Sequence, residues 1–88
     1  MTSINQADAM TVELDDLEIA RLEFQRGRFR LCIKFADYWL VKHPDDSHAL
    51  ELIGLAAVKS GRTGRGIAAL EEAALISPLT MESRISLA

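Results

Sequence analysis

With a single cysteine among its 88 residues, the chain can form no disulfide within itself, which fits a reducing compartment. Basic charge is short as well. Ten Lys and Arg stand against 13 Asp and Glu, a net charge of −3, so the totals lend a nucleic-acid role no support. No stretch approaches the roughly 18 uninterrupted apolar residues of a membrane span. The opening MTSINQADAM lacks the basic start and apolar run of a secretion signal. A cytoplasmic protein without membrane insertion is expected.

Chemistry-bearing patterns are scarce too. His43-Pro-Asp-Asp-Ser-His48 offers two imidazoles and two carboxylates, but without the spacing of a zinc site, and its residues suit a turn and a helix cap. Gly61-Arg-Thr-Gly-Arg-Gly66 lacks the Gly-Lys-Ser/Thr ending of a phosphate loop and follows a helical pattern where a strand is needed. Cys32 has no His near it in sequence and falls on an apolar stripe, where a thiol is buried and inert. No nucleophile, base and orienting group can be assembled. Neither an enzyme nor a cofactor is expected.

What the chain has is apolar residues, 49% of the total, more than so small a domain readily covers. They are arranged twice. Ile53, Gly54, Gly61, Ile67 and Pro78 answer Ile19, Ala20, Gly27, Ile33 and Pro44 at an offset of 34 residues, the spacing of stacked helical hairpins. A first helix is expected from Thr11 to Arg26, with Leu14, Leu17, Ala20 and Phe24 on one side and Val12, Ile19 and Leu22 on another. The acids Glu13, Asp15, Asp16 and Glu18 suit its start, and Gly27 suits a left-handed cap at its end. A second helix runs from Phe29 to about Lys42 with Phe29, Cys32, Ile33, Ala36 and Leu40 inward, stopped by Pro44. Asp45, Asp46 or Ser47 caps a third, whose stripe is Leu50, Ile53, Gly54 and Ala57. Gly61 ends it. A fourth spans about Thr63 to Ile76 with Ile67, Leu70, Ala73 and Ala74 inward, and MESRISLA begins a fifth.

This pattern resembles the tetratricopeptide repeat (TPR). The family's size pattern is met in the second unit by Leu50, Ile53, Gly54, Gly61, Gly66, Leu70, Ala73 and Pro78, and in the first by Ile19, Ala20, Gly27, Phe29, Cys32 and Pro44. The resemblance implies an all-α, right-handed solenoid of two hairpins plus a partial fifth helix. Residues 1–12 form a tail or an extension of the first helix, 13–46 and 47–80 the two repeats, and 81–88 the start of a third repeat or a cap. The first unit departs from the pattern. Asp16 and Glu23 replace the apolar Leu50 and Ala57, so that Leu17 or Phe24 turns inward instead, and Trp39 and Ala36 exchange large and small positions.

The family binds peptides in a concave groove made by the first helix of each repeat. The matching residues are Leu14, Leu17, Arg21, Phe24 and Gln25, then His48, Glu51, Leu55, Val58 and Lys59. Leu17, Arg21, Glu51 and Leu55 stand where carboxylate-binding members carry Lys and Asn, so an amphipathic partner helix is the expected ligand. The N-terminal tail folding back is the other candidate occupant. Trp39 is either core or an interface anchor. In size and acidity the chain is similar to the TPR subunits of bacterial type III secretion needle chaperones, which implies a small helical partner and a second co-chaperone. The alternative is a scaffolding segment of a larger assembly, which an end at Ala88 within a helical pattern would suit.

Overall fold

The computed structural model describes residues 14–77. Over that span the chain is all helical, with α1 (Asp16–Gln25), α2 (Phe29–Lys42), α3 (Ser47–Lys59) and α4 (Thr63–Ile76), and no strand among the described residues. The expected tail, the closing Pro78 and the fifth helix lie outside the described residues.

Two turns of the same construction close the hairpins. Gly27 and Gly61 have φ of 76° and 87°, a left-handed conformation that costs a residue with a Cβ about 1 kcal/mol or more. At the first, the Arg28 N–H donates to the Glu23 carbonyl at 2.8 Å and the Gly27 N–H to the Phe24 carbonyl at 3.0 Å. At the second, Arg62 donates to Ala57 at 2.7 Å and Gly61 to Val58 at 3.1 Å. Each pair of bonds satisfies carbonyls that a helix end leaves orphaned. Helices α2 and α4 then begin at Phe29 and Thr63 and end at Lys42 and Ile76, so the 34-residue offset of the sequence recurs in the backbone.

The starts of α1 and α3 are capped differently. Leu14 and Asp15 are not helical, which shortens the first helix from its expected start at Thr11. Asp15 accepts from the Glu18 N–H at 2.8 Å while Glu18 accepts from the Asp15 N–H at 3.1 Å, a reciprocal capping box. Of the three candidate caps for α3, Asp46 does the capping, accepting from His48 and Ala49. Pro44 lies just beyond α2, whose last residue is Lys42.

The core is built largely from small residues. Ala20, Cys32, Ala36, Ala49, Ala56, Ala57 and Ala73 are fully buried, and Ile33, Leu50, Ile53 and Leu70 fill the space between them. Helices approach closely only where such residues face one another. In the second hairpin the crossing is made by Gly54 and Gly66, and a Cβ on either would lie within 3.0 Å of the other's carbonyl oxygen. The residues 34 positions earlier are Ala20 and Cys32, both fully buried. The buried seam of α4 is Gly66, Ala69, Leu70 and Ala73. This corrects the expected set, since Ile67 is half-buried and Ala74 exposed.

Each helix packs on its neighbours in sequence, and α1 also touches α3. Two side-chain ties add to this packing. Ser47 Oγ lies 2.8 Å from Ser77 Oγ, joining the start of α3 to the end of α4. Arg65 Nη2 donates to both carboxylate oxygens of Asp37 at 3.2 and 3.1 Å, joining α4 to α2. The latter pair is exposed and worth at most about 1 kcal/mol.

Candidate functional site

The rotation of α1 decides which of its side chains a partner could reach. Ala20 and Glu23 are buried, so the charge at Glu23 does not turn the helix and the register of the second unit holds in the first. Phe24 is half-buried on the core and meets Phe29 edge-on, with centroids 5.4 Å apart. Leu17 is half-buried, Leu14 is 38% exposed, and Arg21 and Gln25 are open to solvent. On α3, His48 and Lys59 are exposed and Glu51 is half-buried. Leu55 is 8% exposed, and a methyl of Val58 occupies the space above Gly66. Of the expected groove residues, Phe24, Leu55 and Val58 are therefore engaged in packing, while Leu14, Leu17, Arg21 and His48 are accessible.

Glu23 sits where the second unit has Ala57. Its Oε2 lies 3.4 Å from Arg26 Nη1 and its Oε1 3.7 Å from Arg28 Nη1, and Oε1 accepts no hydrogen bond. Two guanidiniums from the following turn thus offset the cost of a carboxylate at an inward position. Burial, reinforced by the Glu23 charge, pushes the Cys32 thiol up to about 11. The thiolate is the reactive form. At pH 8 the native chain should therefore react with iodoacetamide at least about a hundredfold more slowly than the urea-unfolded chain, because labelling must wait for opening. Mass spectrometry of the labelled fraction against time measures this, and comparable rates in the two states would show the thiol to be open.

No family model, curated protein or solved structure matches this chain.

Trp39 resolves into neither a core residue nor a free anchor. It is half-buried, its ring stacks on His43 with centroids 4.0 Å apart, and its Nε1 donates to Asp46 Oδ2 at 2.7 Å. Burial works to raise the Asp46 pKa. The bonds from Trp39 and the Ala49 and His48 N–H groups, with His48 nearby, outweigh it and hold the carboxyl below the usual range.

Two clefts escape the sequence pattern. One, of ≈ 380 Å³, lies between α2 and α4, with Leu40, Leu50 and Ile53 beneath Asp37, Arg65 and Glu72. The other, of ≈ 320 Å³, lies where the two glycine turns meet and is lined by Gly27, Arg28, Phe29, Arg30, Leu31 and Ser60. The 34-residue offset of Gly27 and Gly61 was the available signal for the second, because it brings both turns to one end. Among the described residues no helix is long and apolar enough to cross a membrane, and no cluster of three or more His, Cys, Asp or Glu is placed to hold a metal.

Proposed function

We propose that the chain is a non-catalytic binding module of the TPR type, which sequesters an amphipathic helix of a partner protein along α1 and α3. The observation that carries this reading is the recurrence of helix ends and glycine turns at 34 residues, together with exposed Leu14 just before α1 and half-buried Leu17 and exposed Arg21 on it. A right-handed solenoid follows if the hairpins continue to stack in this way. The finer reading is a small cytoplasmic chaperone, similar to the TPR subunits of type III secretion needle chaperones. Covering a partner's apolar stripe removes the surface through which it would polymerise, and burial yields about 25 cal/mol per Å² before ordering costs.

A labelled, roughly 20-residue peptide with leucines on one helical face tests the reading by fluorescence anisotropy. Saturable binding is expected, and Leu17→Glu should weaken it about tenfold, or ~1.4 kcal/mol, with the circular dichroism spectrum unchanged. Equal binding of a peptide of the same composition with its leucines scattered would sink the proposal. Phe24→Glu and Leu55→Glu are unsuitable probes, since both side chains are packed.

A second reading, a scaffolding segment in a larger assembly, is favoured by Val41 and Leu75, which are 81% and 88% exposed and lie outside the proposed groove. It requires that Val41→Ser or Leu75→Ser impair assembly while peptide binding survives.

A further inference from the structure

Charge is segregated along the hairpins. Asp15, Asp16 and Glu18 lie at the start of α1, and Asp45 and Asp46 lie beside the α2–α3 turn. The opposite end, where both glycine turns sit, carries Arg26, Arg28, Arg30 and Arg62 against Glu23 alone. One carboxylate faces two of these guanidiniums, and Arg30 and Arg62 make no ion pair among the described residues. Two of these guanidiniums, Arg28 and Arg30, line a cleft together with the apolar Phe29 and Leu31, and Ser60 of the neighbouring turn, two residues before Arg62, completes the lining. Helices α2 and α4 both start at this end, and neither has a side-chain cap, so their dipoles add to the positive field.

We propose that this cleft is a second docking surface, separate from the α1–α3 groove, and that its ligand is an acidic peptide segment with one large apolar side chain. The apolar residue sits over Phe29 and Leu31, and flanking carboxylates pair with Arg28, Arg30 and Arg62. Charge complementarity selects the sign of the partner. The floor selects a peptide over a nucleic acid, since the ring of Phe29 is engaged edge-on with Phe24 and is only half-exposed, leaving no open platform for base stacking.

The test uses the full 88-residue chain and a blocked, fluorescent peptide of Asp and Glu around a single Leu. Binding is expected at low salt, with affinity falling at least about tenfold as the salt rises from about 50 to about 300 mM. The double variant Arg30→Gln/Arg62→Gln should weaken low-salt binding at least about fivefold with helicity intact, both side chains being exposed and without an ion pair among the described residues. Replacing the peptide's Leu with Ser should weaken it further. Binding indifferent to the double variant, or to loss of that Leu, overturns the proposal. So does an oligothymidylate that binds as tightly as the peptide, or self-association that consumes the basic end in sizing experiments. None of these outcomes bears on the amphipathic-helix groove, which Leu17→Glu tests separately.

Discussion

Gly66→Ala is expected to destabilise the chain by ~2 kcal/mol, although alanine is intrinsically the better helix former by about 1 kcal/mol. Gly66 lies inside α4, and a Cβ there would stand 2.8 Å from the carbonyl oxygen of Gly54, 3.0 Å from the backbone nitrogen of Val58 and 2.5 Å from a Val58 methyl. Two of these three atoms are backbone and cannot turn aside, so α3 and α4 would have to separate and the contacts beneath Leu70 would loosen. Gly54→Ala meets chiefly the Leu70 side chain, at 2.6 and 2.7 Å. Leu70 is fully buried, so this change should also destabilise, but by less. Gly64 supplies the control. It lies in the same helix with nothing within 4 Å of its Cβ position, so Gly64→Ala should be neutral or stabilising by up to ~1 kcal/mol. Urea unfolding of the three variants checks the order. Equal effects at Gly64 and Gly66 would mean that close approach of the helices is not what position 66 requires.

The contrast between Gly64 and Gly66 also shows what could be read from the residues. The glycines that end helices were legible, because Gly27 and Gly61 repeat at one offset and a left-handed residue is what a helix end requires. The stripes of α2 and α3 were legible for the same reason. In α2, Cys32, Ile33 and Ala36 are buried and the expected Phe29 and Leu40 are half-buried against them, and in α3 Leu50, Ile53, Gly54 and Ala57 are buried. In α4 the pattern fails. Ile67, Ala68, Ala69, Leu70, Ala73, Ala74, Leu75 and Ile76 surround most of the helix with apolar residues, so periodicity cannot select Ala69 over Ala74. At Glu23 the pattern was right and the charge misleading, since compensation comes from Arg26 and Arg28 in the turn beyond, which no periodicity registers. The expected groove residues divide by exposure, which the sequence does not foretell. Leu14 is exposed and Leu17 half-buried, whereas Leu55 is buried and Val58 lies over Gly66, contacts set by how closely the helices pack.

Asp46→Ala should cost roughly 2 kcal/mol at neutral pH, because one carboxylate serves two structures. Its Oδ1 accepts the His48 and Ala49 N–H groups at the start of α3, and its Oδ2 accepts the Trp39 indole at 2.7 Å. Loss of the cap alone is worth about 1 kcal/mol, and loss of a hydrogen bond to a charged acceptor on a half-buried side chain accounts for the rest. Asp46→Asn separates the two, since an amide oxygen can still cap α3 while its NH₂ meets the Trp39 N–H donor to donor, so a smaller loss of about 1 kcal/mol is expected. The carboxyl titrates lower in the folded chain than in the unfolded one. Its contribution is therefore complete above the unfolded pKa of about 3.9 and is lost as pH falls through the lower folded value. The stability gap between wild type and Asp46→Asn should accordingly persist from pH 7 to about 5 and close in strong acid. Trp39, the only tryptophan in the chain, reports unfolding directly by its fluorescence. A gap that stays constant down to about pH 2.5 would show that the charge of Asp46 contributes nothing and that the mismatch of Asn with the Trp39 donor accounts for the whole difference.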